Sequence, residues 1–219
     1  MTASIPQVQA LALERIRADV RSMHAYHVQP SQGLLKMDTM ENPFRLPPEL
    51  QAALGERLGR LEINRYPGER QEVLKDMLAR YAQAPAGSAV LLGNGSDEII
   101  TLLALACAQP HAEGRATMLA PMPGFVMYAM SAQLQGLKFV GVPLTADFEL
   151  DEAAMLSAMR EHKPAITHIA YPNNPTANLW SADTIRRLIA EAAGFGGLVV
   201  MDEAYQPFSS RSWLDEIRA

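Results

Sequence analysis

The 219 residues carry a net charge of −5, with 48% apolar and 20% charged residues, an ordinary globular balance that argues against disorder. Only four lysines occur (Lys36, Lys75, Lys138, Lys163) and no basic run, which argues against a nucleic-acid or anionic-membrane role. The single cysteine, Cys107, cannot close an internal disulfide and reads as a small buried helix residue. No stretch approaches the roughly 18 apolar residues of a membrane span, and Met1-Thr-Ala-Ser-Ile-Pro6 lacks a signal-peptide pattern, so the expectation is a cytoplasmic protein.

In chain order, Gln7 to about Met23 has the periodicity of an amphipathic helix, with Val8, Leu11, Ile16 and Val20 on or near one face. An extended stretch from His24 to Arg45 follows, broken by Pro30, Gly33 and Pro43. Pro47-Pro48 opens a helix to about Arg60, Ile63-Asn-Arg-Tyr-Pro-Gly68 reads as a tight turn, and Glu69 to about Gln83 as another helix. From Ala89 onward strands and helices alternate. The strands expected are Ala89–Leu92, Thr117–Ala120, Lys138–Val142, Ile166–Ala170 and Leu198–Asp202. The helices between them are Asp97–Ala108, Phe125–Gln135, Asp151–His162 and Ala182–Ala193. This pattern predicts an α/β fold, a mainly parallel sheet with helices on both faces. Residues 1–45 read as an arm and 46–219 as one α/β domain.

Two segments carry most of the chemistry. Tyr171-Pro-Asn-Asn-Pro-Thr176 and Met201-Asp-Glu-Ala-Tyr205 each end an apolar strand, and the carboxyl ends of parallel strands are where ligands collect. Asn174 sits between two prolines, which stiffen the backbone that aims it; Asn173 fits a turn-forming role. Asp202 ends a Leu-Val-Val-Met strand, a place where a carboxylate is costly unless it meets a cation. Leu92-Gly-Asn-Gly-Ser-Asp-Glu98 joins a strand to a helix start, which suits either a phosphate cradle or a plain turn with a serine cap. Phe125, just past two prolines, either stacks on a planar ligand or pairs with Tyr128 in the core. Tyr66 lies in a polar, aromatic loop, where function is commoner than packing. His24, His27, His111, His162 and His168 have no metal-ligand spacing with cysteines or acids, so no metal site is expected.

Taken together, and with Glu41-Asn-Pro-Phe44 and Asn64-Arg-Tyr-Pro67, these segments resemble the histidinol-phosphate aminotransferases, a branch of the fold-type-I, class I/II pyridoxal-phosphate enzymes. The likeness runs from Leu35 to Phe208. It implies that backbone N–H groups around Gly95, Ser96 and Asp97 hold the phosphate of pyridoxal 5'-phosphate and that Phe125 stacks on its ring. It further implies that Asn174 and Tyr205 hold the phenolate oxygen and that Asp202 pairs with the ring nitrogen. Tyr66 would reach the phosphate of the other subunit's cofactor, making the site a property of a homodimer. The implied substrates are small molecules, L-histidinol phosphate and 2-oxoglutarate, within histidine biosynthesis.

Two departures from that family stand out. Its common Asn-Pro-Thr-Gly is Asn174-Pro-Thr-Ala177 here. Its cofactor-anchoring Schiff-base lysine follows the Asp-Glu-Ala-Tyr strand, and all four lysines precede it. The resemblance therefore implies no catalytic residue in this chain, an incomplete large domain, no C-terminal small domain, and doubtful activity for the chain alone. The family's last two strands would lie between Ala89–Leu92 and the strand ending at Asp202. Alternatives are another aminotransferase of the same fold acting on aromatic amino acids, a phosphothreonine decarboxylase, or a non-catalytic cofactor-binding or dimerising module.

Overall fold

The fold is taken from a computed structural model that describes residues 5–23, 30, 32–36, 41–108, 114 and 116–218. The stretch expected from His24 to Arg45 falls in part outside those residues, as do His24, His27 and His111 and the side chains of Val8 and Leu11. The arm forms α1 (Ile5–Arg15) and α2 (Ala18–Arg21) in place of the single helix expected from Gln7 to Met23. The break has a tertiary cause. Arg17 adopts an extended backbone (φ −51°, ψ 136°), pairs with Asp19, and donates to the carbonyls of Gln133 (2.8 Å) and Leu134 (2.9 Å). Those carbonyls lie in the last turn of a later helix, where backbone oxygens have spare accepting capacity.

Next come α3 (Pro48–Gly59), α4 (Arg70–Tyr81) and α5 (Ser96–Ala106), then β1 (Thr117–Met122), α6 (Val126–Gln135), β2 (Lys138–Pro143), α7 (Glu152–His162), β3 (Ile166–Ala170), α8 (Ala182–Phe195), β4 (Leu198–Asp202) and α9 (Trp213–Arg218). The four strands form one parallel sheet in the order β2-β1-β3-β4. Parallel neighbours require crossover connections, and here α6, α7 and α8 supply them. The expected strand Ala89–Leu92 does not form: that segment pairs with no strand among the described residues. An extended segment becomes a strand only where a neighbour offers a matching ladder. β2 and β4 close the sheet's two sides without reaching it.

The alternation of side chains along each strand splits the core into two layers. Met118, Ala120 and Ile166 point toward α5 and α6, together with Ile100, Ala104, Tyr128 and Ala132. Leu119 and Ile169 point the other way, onto Met155 and Met159 of α7 and Ile185, Leu188 and Ala192 of α8. The helices begin and end where sequence chemistry dictates. Asp151 caps α7 through Ala154 N–H at 2.9 Å, Ser181 caps α8, and α6 and α8 stop at Gly136 and Gly196, both left-handed. By contrast α3 and α4 bury no residue. Leu50, Leu54 and Leu58 form an exposed stripe on α3, and Val73, Met77 and Tyr81 another on α4.

His168, in the middle of β3, is fully buried, and neither ring nitrogen has a hydrogen-bond partner among the described residues. Its ring stacks on Tyr128, centroids 4.5 Å apart at 11°. Burial pushes its pKa down from 6.5 to about 4, although the Asp202 carboxylate pulls the other way. Between those values the unfolded chain binds the proton and the folded chain does not. Stability is therefore whole above pH 6.5 and falls as the pH is lowered toward 4. At about 1.4 kcal/mol per pH unit, the ceiling over that window is about 3 kcal/mol. Replacing His168→Phe keeps a flat ring against Tyr128 and should flatten this slope in urea melts between pH 6.5 and 4. For the core itself, Leu188→Ala, fully buried in α8, should cost roughly 2–4 kcal/mol. Leu198→Ala, half exposed on the edge strand, should cost under about 1 kcal/mol by the same melts.

Candidate active site

β1, β3 and β4 lie side by side, so their carboxyl ends open into one crevice. Met122 leads into Pro123-Gly-Phe125, Ala170 into the Tyr171–Thr176 loop, and Asp202 into Glu203-Ala-Tyr205. The β3–β4 register sets Ala170 beside Asp202, and Tyr171 N–H donates to the Asp202 carbonyl at 2.8 Å. The start of α5 completes the wall. The result is a cleft of about 280 Å3 lined by Gly95, Ser96, Asp97, Phe125, Asn174, Asp202 and Tyr205, along with Asn94, Tyr128 and Pro172. That size sits near the lower end of the roughly 300–1,000 Å3 of ligand pockets. Seven of the eight residues expected at a cofactor site thus meet in one place. Tyr66 does not: it is 98% exposed, in the turn between α3 and α4.

Each wall has a local cause. Gly95 takes φ 80° at the N-cap of α5, a left-handed conformation that glycine adopts freely, and no side chain caps that turn. The N–H groups of the first turn lack intrahelical partners and carry the positive end of the helix dipole. Glu98 turns back to accept from the Asn94 N–H and side-chain amide. Gly124 is required one residue before Phe125, since a Cβ there would stand 2.5 Å from the Pro121 carbonyl oxygen. Phe125 meets Tyr128 edge to face at 5.7 Å and at the same time lines the cleft. Ala177, where the resembling family commonly has glycine, takes φ 60°; the turn keeps a glycine-type backbone with an L side chain in it.

Asp202 is the centre of the site. Its Oδ2 accepts from the Tyr128 hydroxyl at 2.7 Å and its Oδ1 from Ala204 N–H at 3.1 Å. Burial, then the Asp202 charge and this hydrogen bond, push the Tyr128 phenol well above its ordinary range, so it stays a donor. Behind Tyr128 lies His168, held neutral by burial. The next residue, Glu203, turns to the opposite face of the strand and holds α9, accepting from Trp213 N–H and the Ser212 hydroxyl.

From sequence, Tyr128 presents itself only as a packing partner of Phe125, and His168 only as one of five histidines without metal-ligand spacing. Their alignment behind Asp202 has one sequence signal: Tyr128 follows Phe125 by three positions, one helical turn deeper. Asn173, a turn residue by sequence, is also buried between two loops. In chemical terms the cleft offers donors for an anion, an aromatic face for a flat ring, a carboxylate for a cation, and an amide with a phenol for an anionic oxygen. No lysine lines it.

A family model for aminotransferase class I and II matches residues 33–217. The histidinol-phosphate aminotransferase of Paracidovorax citrulli (strain AAC00-1) is 69% identical over 210 residues, covering 96% of this chain and 57% of the relative. That of Acidovorax sp. (strain JS42) is 68% identical over 214 residues, covering 98% and 57%. The chain thus spans a little over half the length of the curated relatives it matches. Among solved structures, the histidinol-phosphate aminotransferase from Clostridium acetobutylicum superposes with a TM-score of 0.70 at 23% identity, over 84% of this chain and 52% of that one. The Sinorhizobium meliloti enzyme, in complex with pyridoxal-5'-phosphate, gives 0.68 at 21% identity, over 90% and 53%. These two likenesses show the shared fold. The family model takes in the whole α/β sheet and the cleft at its carboxyl ends, and the chain belongs to the class I and II aminotransferases.

Proposed function

We propose that the cleft is the floor of a pyridoxal 5'-phosphate site, and that the chain serves amino transfer between L-histidinol phosphate and 2-oxoglutarate in histidine biosynthesis. The observation that carries the cofactor reading is Asp202, a carboxylate at a strand end whose oxygens are fixed by Tyr128 and Ala204 while it faces the cleft. A carboxylate so placed is stabilised by a cation, and a protonated pyridine nitrogen is one. The substrate reading is supported by the two relatives of that name, which match nearly the whole chain at 69% and 68% identity.

The residues divide the work by chemistry. Backbone N–H groups of Gly95, Ser96 and Asp97 would take the phosphate at the uncapped start of α5. Phe125 would cover the ring, and Asn174 and Tyr205 would hold its phenolate oxygen. Asp202 would keep a proton on the ring nitrogen, with Tyr128 holding the carboxylate in line. When bound, the cofactor supplies an electron sink for carbanionic chemistry at the substrate's α-carbon. Tyr66 would serve the cofactor phosphate of the other subunit in a cytoplasmic homodimer. Its full exposure and the uncovered stripes on α3 and α4 support that role, because contiguous apolar surface of this kind marks an interaction face.

Pyridoxal phosphate titrated into the 219-residue chain should bind reversibly, followed by its absorbance. Asp202→Ala should weaken that binding tenfold or more, and Tyr128→Phe about five- to tenfold. Borohydride should leave no stoichiometric adduct; a stable one would mean that one of the four lysines reaches the ring. Fused to the remainder of its Paracidovorax citrulli relative, the chain should transaminate L-histidinol phosphate. Asp202→Ala should then lower turnover by at least about two orders of magnitude. Near-normal turnover in that variant would remove Asp202 from the mechanism.

A further inference from the structure

Asn173 is 4% exposed and lies one residue before Asn174. Its side-chain amide donates twice, to the Pro123 carbonyl at 3.2 Å and to the Thr176 hydroxyl at 2.7 Å. Its backbone closes the same turn, with Asn173 N–H donating to the Asn178 carbonyl (3.0 Å) and Ala177 N–H to the Asn173 carbonyl (2.8 Å). Pro123 belongs to the loop after β1 that carries Phe125, and Thr176 to the loop after β3 that carries Asn174. One buried amide therefore ties together the two loops whose side chains face the cleft from different strands. A turn-forming asparagine needs only contacts within its own turn; a bond to a carbonyl 50 residues away serves another purpose.

We propose that Asn173 is a positioning residue for the ring half of the proposed cofactor site, setting Phe125 and Asn174 at a fixed separation. The inference rests on the cofactor reading above. Neither Gly95, Ser96 nor Asp97 touches this bracket by any hydrogen bond among the described residues, so the phosphate half of the site stands on α5 alone. Loss of the bracket should thus divide the two halves. A flat ring stacked by Phe125 and held by Asn174 feels the change, and an anion at the start of α5 does not.

The test uses the 219-residue chain, with pyridoxal phosphate as ligand and inorganic phosphate as competitor. Asn173→Asp keeps the shape but loses the donors to Pro123 and Thr176; Asn173→Ala loses them without adding a charge, and carries the same expectation if the aspartate variant does not fold. Each should raise the dissociation constant for pyridoxal phosphate roughly five- to tenfold, the scale of a lost buried hydrogen bond, while the inhibition constant of phosphate stays within about twofold. Equal losses for both ligands would mean a merely structural residue and overturn the inference, as would an unchanged constant for pyridoxal phosphate. If the unaltered chain binds no pyridoxal phosphate, the cofactor reading falls and this inference with it. If the unaltered chain binds and a folded variant binds as well, this inference alone falls.

Discussion

The hydrogen bond from the Tyr128 hydroxyl to Asp202 links α6 to β4, and the geometry of the site hangs on it. A carboxylate at the end of a half-buried strand is destabilising until something satisfies it. The tyrosine does so from a helix packed on the same sheet face, where Met118, Ala120 and Ile166 hold that helix in place. The Asp202 side chain is thus fixed by the core through Tyr128 as well as by its own loop through Ala204 N–H. A loop-borne acid wanders; one braced by a buried phenol keeps its direction. The cost sits one layer deeper, where His168 stacks on Tyr128 with no hydrogen-bond partner of its own among the described residues. The same burial that keeps the phenol a donor keeps the imidazole neutral.

Much of this was legible in the sequence, because the sheet is covered on both faces and its strands are short, continuous apolar runs. Ile166–Ala170 and Leu198–Asp202 have the expected bounds, and the strand ends carry the expected polar residues into one cleft. What was illegible depends on partners distant in sequence. Ala89–Leu92 has the composition of a strand, yet composition cannot supply a ladder. The arm helix breaks at Arg17 because carbonyls more than 110 residues away draw the guanidinium. α9, which begins at Trp213, went unrecognised because its start is held by Glu203, a side chain ten residues earlier on the far face of β4. Tyr128, His168 and Asn173 share this character. Each residue type reads locally as packing or turn, and each acquires its role from a contact in another element.

The exposed surfaces make sense in the same terms. The α/β core is satisfied on both faces by α5 through α8, whereas α3 and α4 bury nothing and present their leucines, valine, methionine and tyrosine outward. Amphipathic helices draw most of their stability from covering an apolar face. These two cover none among the described residues, and Tyr66 lies in the turn between them. The proposed role of Tyr66 at a neighbouring subunit's site and the uncovered stripes are therefore one argument: the surface that would bury α3 and α4 against a second copy is the surface that would carry Tyr66 to it.

Within the cleft, the proposed division between an anion end and a ring end follows from which elements are rigid. The anion end is built on a helix start, where the donors are backbone groups and their direction is fixed by α5 itself. The ring end is built on three loops, and loops hold a geometry only when cross-linked. Gly124 lets the β1 loop turn tightly enough for Phe125 to face inward, Asn173 ties that loop to the β3 loop, and the Tyr171 N–H ties the β3 loop to β4 at Asp202. The strands β1, β3 and β4 are thereby stitched together at their carboxyl ends, which holds the aromatic face, the amide and the carboxylate relative to one another. The proposed alignment of a flat ring against three side chains from three strands would depend on that coupling more than on any single strong contact.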